Sequence, residues 1–154
     1  MTEAGGAPLI EVSGLTKRFD VRKGAFARIV AQVHAVENVS FQIRQGEVLG
    51  LAGESGSGKT TIGRMLLRLI EATSGSIRFM GEEITAFDRA RLLAFRRQAQ
   101  IVFQDPFASL DPTMTIGEAI AEPLRIQGMS ARAPELRQRI AELLDAVEIG
   151  RAHV

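Results

Sequence analysis

The chain has 154 residues, of which 45% are apolar and 24% are charged, as expected for one globular domain or a large part of one. Its formal net charge of +1 argues against a nucleic-acid partner, and the absence of cysteine excludes disulfides, cysteine–zinc sites and thiol chemistry. No run approaches the roughly 18 apolar residues of a membrane span, so we expect any membrane association to come through a partner.

The first part of the sequence predicts three strands around a basic segment. Leu9–Val12 has a short apolar strand pattern, and Val39–Ile43 alternates apolar and polar side chains as a half-buried strand does. Between them, Thr16–His34 is basic and has no clean period, so we expect a loop or an irregular hairpin. Glu47–Ala52 is a nearly continuous apolar run, which predicts a buried strand.

The remaining elements alternate between helix and strand. Thr115 and Glu118 have the spacing of a capping box, and because Gly117 and Pro123 disfavour helix, the helix that they begin should be short. We predict a helix over Lys59–Ile70, a strand over Gly75–Phe79, a short helix over Arg89–Gln98, a strand over Gln100–Phe103, a helix from about Ile116 and a helix over Pro134–Val147.

A glycine-rich loop lies between the predicted strand Glu47–Ala52 and the predicted helix Lys59–Ile70. The glycines allow the backbone to turn tightly around an anion, and the following helix presents its positive N-terminal end. We therefore expect this phosphate loop, residues 53–60, to bind a nucleoside triphosphate, and ATP in particular. The pattern G-x-x-x-x-G-K-[ST] is met by Gly53, Glu54, Ser55, Gly56, Ser57, Gly58, Lys59 and Thr60.

Individual residues of the phosphate loop have different expected roles. The N–H groups of Ser55–Thr60 can point inward as a nest for phosphate oxygens. Lys59 would reach the β- and γ-phosphates, and the hydroxyl of Thr60 would bind Mg²⁺. Thr61, the next residue, is placed to contact the α-phosphate. The expected cofactors are therefore ATP and Mg²⁺.

A second motif indicates which kind of P-loop protein this is. Gln100–Pro112 reads QIVFQDPFASLDP, and it is followed by MTIGE at Met114–Glu118 and by AEPL at Ala121–Leu124. Together with the GESGSGKTT form of the phosphate loop and the basic insert Val21–His34, these residues resemble the ATP-binding subunits of ABC transporters. Within that family they are similar to the oligopeptide and dipeptide importer group, over about Pro8 to Val147.

The resemblance implies an α/β fold, a P-loop NTPase core of the ABC type with an N-terminal β subdomain and the start of a helical subdomain. The expected divisions are a loose tail over residues 1–8, the nucleotide-binding core over 9–104 and the start of the helical subdomain over 105–154. In the family's sheet, strands that come after the Leu-Ser-Gly-Gly-Gln signature in sequence lie between the phosphate-loop strand and the strand that corresponds to Gln100–Phe103, and these later strands have no counterpart here. The central sheet should therefore be incomplete, with two apolar strand edges exposed.

The resemblance also implies roles for two residues outside the phosphate loop. Gln104 matches the Q-loop glutamine, which contacts Mg²⁺ and the attacking water, whereas the alternative is a polar residue that ends a strand. Phe19 lies where the family places an aromatic ring that stacks on adenine, and the alternative is a ring at the edge of the core. Asp105 could instead be a Walker B acid, but Gln104 separates it from the three apolar residues Ile101–Phe103, which favours the Q-loop interpretation.

By resemblance the chain is an ATPase subunit that couples ATP binding and hydrolysis to the import of peptides or related small solutes. Its partners would be a second nucleotide-binding subunit, arranged head to tail, and transmembrane permease subunits at the cytoplasmic side of the cell membrane. The family's Leu-Ser-Gly-Gly-Gln signature, Walker B Asp-Glu and switch histidine do not occur in the sequence. We therefore expect the N-terminal part of a longer protein, inactive in hydrolysis by itself.

Two other functions compete with this one. The first is a fragment that binds nucleotide and catalyses nothing. The second is another P-loop enzyme, although the Asn/Thr-Lys-x-Asp motif of a GTPase does not occur, and the arginines that could form the lid of a kinase are more typical of a solvated helix face. Those arginines are Arg89, Arg91, Arg96 and Arg97.

Overall fold

The computed structural model describes residues 7–24, 27–105, 110–126, 128 and 133–148. The chain divides into two compact units, residues 1–101 and residues 102–154. Most of the predicted N-terminal tail, residues 1–6, lies outside the described residues, as do residues 106–109 of the QDPFASLDP motif and residues 149–154.

The first unit contains four strands, two α-helices and one 3-10 turn among its described residues, and the second contains two α-helices. The strands are β1 (Ile10–Lys23), β2 (Arg28–Ile43), β3 (Ser74–Phe79) and β4 (Glu82–Glu83), and the helices are α1 (Lys59–Leu66), α2 (Arg89–Gln98), α3 (Ile116–Ile126) and α4 (Ala133–Ala146), with the 3-10 turn at Ile84–Ala86.

The described strands form one antiparallel sheet in the order β2-β1-β3-β4. β1 and β2 make a long hairpin, in which Ile10 lies opposite Ile43 and Lys23 lies opposite Arg28. Four register shifts interrupt the ladder. The segment Thr16–His34 is therefore the irregular hairpin and not the loop, and its shifts explain why its sequence shows no clean period.

The core of the first unit lies between the sheet, α1 and α2. Ile62 and Met65 of α1 pack with buried side chains of β1, β2 and β3, and Phe95 of α2 stacks edge-on against Phe79 and Phe87. These elements are amphipathic, and burying one face of each against the others provides the main driving force for this arrangement. The buried residues of this cluster are Val12, Leu15, Val36, Ile62, Met65, Ile77, Ile84, Phe87 and Phe95.

Helix α1 ends four residues earlier than predicted. Leu67 is its C-cap, and Arg68 takes a left-handed backbone conformation with φ of +49°. The guanidinium of Arg68 then donates to the carbonyl oxygens of Ile84 and Phe87, at 3.3 and 2.6 Å. The apolar stripe continues to Ile70, but these contacts with the 3-10 turn and the residue after it favour a bend in the backbone over another helical turn.

In the second unit, α3 and α4 pack through small and branched apolar side chains. Ala121 of α3 contacts a stripe of α4 formed by Leu136, Ile140 and Leu144, whose four-residue spacing places them on one helix face. Pro123 lies inside α3 and does not end it, although its missing N–H removes one backbone hydrogen bond from the helix.

The capping box predicted for α3 is present. The N–H of Thr115 donates to Glu118 Oε2 at 2.9 Å, and the N–H of Glu118 donates to Thr115 Oγ1 at 3.2 Å. These reciprocal bonds satisfy two backbone donors at the helix start. The predicted beginning of this helix near Ile116 is therefore confirmed.

Two predicted strands are wrong for the described chain. Glu47–Ala52 and Gln100–Phe103 form no strand, and Val48 and Val102 are 95% and 92% exposed. An apolar run of this kind becomes a buried strand only when neighbouring strands pair with both of its edges. No described residue pairs with either segment, and this agrees with the expected gap in the central sheet.

We predict that the first turn of α3 becomes less stable at acidic pH. The pKa of Glu118 lies below its ordinary value, chiefly because its carboxylate accepts the backbone N–H and the hydroxyl of Thr115. A lowered pKa means that the stabilisation is complete above the ordinary glutamate pKa and is lost as the pH falls through the lowered value. Amide hydrogen exchange of the first turn of α3, followed against pH, measures this loss.

Glutamine accepts the same hydrogen bonds without titrating, so Glu118→Gln should flatten this pH dependence. The matched control is Glu122→Gln, which makes the same change at an exposed position of the same helix and should keep the wild-type profile. Equal pH profiles for the two variants would contradict the prediction.

Candidate nucleotide-binding site

The phosphate loop takes a backbone shape that requires glycine. Gly56 and Gly58 have φ angles of +81° and +91°, in the left-handed region that side chains disfavour. Gly58 is also the N-cap of α1 and provides no side-chain hydrogen bond to the first helical turn. The backbone N–H groups at this helix start are therefore free of a side-chain cap, and they can donate to a bound anion at the positive end of the helix.

The ammonium group of Lys59 lies inside the curve of the loop. Its Nζ donates to the carbonyl oxygens of Gly53 and Glu54, at 2.7 and 2.6 Å, and to Ser57 Oγ at 3.1 Å. A turn bond from the N–H of Ser57 to the carbonyl of Glu54, at 3.2 Å, closes the curve. The loop thus holds one positive charge where the sequence predicts that phosphates bind.

The end of the phosphate loop lies directly against the hairpin. A Cβ atom added to Gly58 would be 2.2 Å from the carbonyl oxygen of Ala35 and 3.2 Å from Val36 Cγ2. Only glycine therefore allows α1 to start this close to β2. The phosphate loop therefore lies against β2, the strand that also carries Val33, the residue opposite Phe19.

Phe19 lies on β1 opposite Val33 of β2 and is 41% exposed. The buried cluster of the first unit does not include Phe19. This observation argues against the alternative interpretation, in which the ring packs at the edge of the core. Lys17, two residues earlier, lies opposite Val36 in the strand pairing. Val36 follows Ala35, whose carbonyl oxygen lies against Gly58. The exposed ring thus lies opposite Val33, two residues along β2 from Ala35, where the hairpin meets the phosphate loop.

Of the residues predicted to bind the metal, Thr60 lies exposed in the first turn of α1. Gln104 belongs to the second unit, is exposed and lies in no strand, so its role stays a prediction. The described residues contain no group of three His, Cys, Asp or Glu side chains able to hold a metal ion.

Sequence reasoning missed two features of this site. The contact of Gly58 with Ala35 joins residues far apart in sequence, and no local pattern predicts it. Lys17 places its Nζ 4.9 Å from the ring centroid of Phe19. Its spacing of two residues on a strand is a usable signal, because such side chains share one face.

Comparison with known proteins agrees with this geometry. Residues 36–153 match the family described as ABC transporter. The chain belongs to the ABC transporter family. The predicted family is thereby confirmed. Within the described residues, this family member has no helix long and apolar enough to cross a membrane.

Curated relatives of this ABC chain include the glutathione import ATP-binding protein GsiA of two bacteria. The protein of Salmonella paratyphi A is 47% identical over 152 residues, which cover 99% of this chain and 24% of the relative. That of Escherichia coli K12 is 48% identical over 146 residues, which cover 95% and 23%. The chain thus spans about a quarter of the length of these relatives.

Solved structures confirm the predicted α/β fold of the ABC type. The ATP-binding cassette MJ0796, solved as a dimer in a post-hydrolysis state with ADP and Pi, matches with a TM-score of 0.71 and 27% identity, over 94% of this ABC chain and 59% of that one. CbiO1 of Clostridium perfringens, part of an ABC transporter complex, matches with a TM-score of 0.65 and 23% identity over 95% and 53%, which supports the fold alone.

We predict that Gly58→Ala destabilises the first unit more than Gly56→Ala does. Both glycines have similar positive φ angles, so both substitutions carry a similar backbone cost. Only at Gly58 would the new Cβ meet a backbone atom, whereas a Cβ at Gly56 meets nothing within 4 Å. Because overpacking typically costs about 1–3 kcal/mol, we expect a difference of that size in the free energy of unfolding from urea titration. Equal stabilities would show that the contact between Gly58 and Ala35 is unimportant.

Proposed function

We propose that this chain binds Mg²⁺-ATP as the nucleotide-binding part of the ATPase subunit of an ABC importer. The observation that carries the proposal is the phosphate loop itself, which curves around the ammonium of Lys59 at the uncapped start of α1. A glycine-rich loop that leads into an uncapped helix N-terminus, with a lysine ammonium inside its curve, is suited to binding the phosphates of a nucleotide.

In this proposal, the triphosphate enters the curve and exchanges partners with Lys59. The ammonium would give up its hydrogen bonds to two neutral carbonyls and make stronger bonds to the anionic oxygens of the β- and γ-phosphates. Thr60 would bind Mg²⁺ through its hydroxyl, and Thr61 would contact the α-phosphate. Phe19 would stack on adenine with its exposed ring.

Hydrolysis would require groups beyond the phosphate loop. By the family resemblance, Gln104 would contact Mg²⁺ and the attacking water, with residues 9–104 as the nucleotide-binding core and 105–154 as the start of the helical subdomain. A second nucleotide-binding subunit would complete the site head to tail, which the dimeric state of the MJ0796 cassette supports.

The transported solute would be an oligopeptide, a dipeptide or a related small molecule. The support is the similarity to GsiA proteins, whose name assigns them to glutathione import. Transmembrane permease subunits would hold the ATPase at the cytoplasmic side of the membrane. ATP binding would draw two ATPase subunits together, and hydrolysis would release them.

A binding-only role is the second candidate for this chain by itself. The observation that favours it is the absence from the sequence of the family's signature and Walker B Asp-Glu, which would act on water and Mg²⁺. We predict no phosphate release above background in a single-turnover assay with excess chain over radiolabelled ATP. Release that Lys59→Ala abolishes would contradict the binding-only role, and release that it leaves unchanged would indicate a contaminant.

We predict that Lys59→Ala weakens the binding of Mg²⁺-ATP by about 10- to 100-fold, the effect of losing a hydrogen bond from a charged group. Binding is measured with a fluorescent ribose-labelled ATP. Lys23→Ala is the matched control, because it removes the same charge from the far end of the hairpin, where Lys23 lies opposite Arg28. Equal losses in the two variants would reduce the role of Lys59 to general electrostatic attraction.

The position of the base can be tested with a single fluorophore, because the chain contains no tryptophan and no tyrosine. We predict that the introduced tryptophan of Phe19→Trp changes its emission when ATP binds, since stacking on adenine alters the environment of the indole. Inorganic tripolyphosphate, which has no base, should bind without this change. Equal responses to the two ligands would place the base elsewhere.

A further inference from the structure

Lys17 has an unusual environment for a surface lysine. Its Nζ lies 4.9 Å from the centroid of the Phe19 ring, within the range of a cation–π interaction. Among the described residues, no carboxylate forms an ion pair with it, whereas its neighbour Arg18 is paired with Glu37 at 2.6 Å. The ring of Phe19 is therefore the partner that the structure provides for this charge.

The backbone of Lys17 is held beside the phosphate loop. Lys17 lies opposite Val36, which is 5% exposed and belongs to the buried cluster of the first unit. The preceding residue, Ala35, touches the end of the phosphate loop at Gly58. The backbone of Lys17 thus lies opposite a buried residue next to the phosphate loop, and its ammonium lies over the ring of Phe19.

The consequence for Phe19 is a loss of rotational freedom. A phenylalanine ring that is 41% exposed on a two-stranded ribbon can occupy more than one rotamer, and a ligand that stacks on it must select one. A cation over one face of the ring favours a single orientation. The exposed part of the ring stays available to a base.

We propose that Lys17 is a positioning residue that orients the ring of Phe19 for the nucleotide base. The proposal rests on the proposed function, because it assigns a further residue to the same ATP site. Lys17 contacts neither the phosphates nor the base in this arrangement. Its effect should therefore appear in the discrimination between ATP and an anion without a base.

The test compares the dissociation constants of Mg²⁺-ATP and Mg²⁺-tripolyphosphate for variants of the full chain. Lys17→Met removes the charge and keeps the length of the side chain. It should weaken ATP binding by about two- to fivefold, the usual size of an exposed cation–π effect, and leave tripolyphosphate binding unchanged. Lys17→Arg should restore the wild-type preference, and Lys23→Met should leave it unaltered.

A double-substitution cycle excludes a merely structural effect. In a Phe19→Leu background there is no ring to orient, so Lys17→Met should cause no further loss of ATP affinity. A loss of the same size in both backgrounds would overturn the proposal. So would a gain in ATP affinity on Lys17→Met, because the ammonium would then be blocking the ring.

Failure of this inference is distinguishable from failure of the proposed function. If the wild-type chain binds neither ATP nor tripolyphosphate, the nucleotide site itself is wrong and the inference falls with it. If the wild-type chain binds both, Lys59→Ala weakens the binding of both and Lys17→Met leaves the preference for ATP unchanged, only the role of Lys17 is wrong.

Discussion

The site depends on the position of one ammonium group. Lys59 Nζ is held by the carbonyl oxygens of Gly53 and Glu54, so the loop keeps its curvature before any ligand binds. Gly58 then brings the start of α1 against Ala35 of β2 at a distance that excludes a side chain. Through the contact of Gly58 with Ala35, the phosphate loop is attached to the same hairpin that carries Phe19, the residue proposed to contact the base.

Local sequence patterns predicted the features whose causes are local. The glycine spacing of the phosphate loop predicted its conformation because backbone angles such as that of Gly58 are open to few other residues. The bounds of α2, Arg89–Gln98, agree with the prediction, and the capping box of α3 was predictable because both of its partners lie within four residues.

The predictions that failed concern features whose causes are distant in sequence. Glu47–Ala52 has the composition of a central parallel strand, but such a strand requires partners on both edges, and no described residue provides them. The length of the β1–β2 hairpin was underestimated because cross-strand pairing, with several register shifts, stabilises strands that have no clean alternation. The contact of Lys17 with the ring of Phe19 depends on both residues lying in one strand, and the sequence predicted no regular strand over Thr16–His34.

Titration of the isotopically labelled chain with Mg²⁺-ATP, followed by amide chemical shifts, tests the proposed nucleotide site directly. We expect the largest changes on the backbone of residues 55–61, around the bound phosphates, with a second group of changes around Phe19. Saturable changes confined to other parts of the chain would contradict the proposed nucleotide site. The absence of any change in the presence of excess Mg²⁺-ATP would also contradict it.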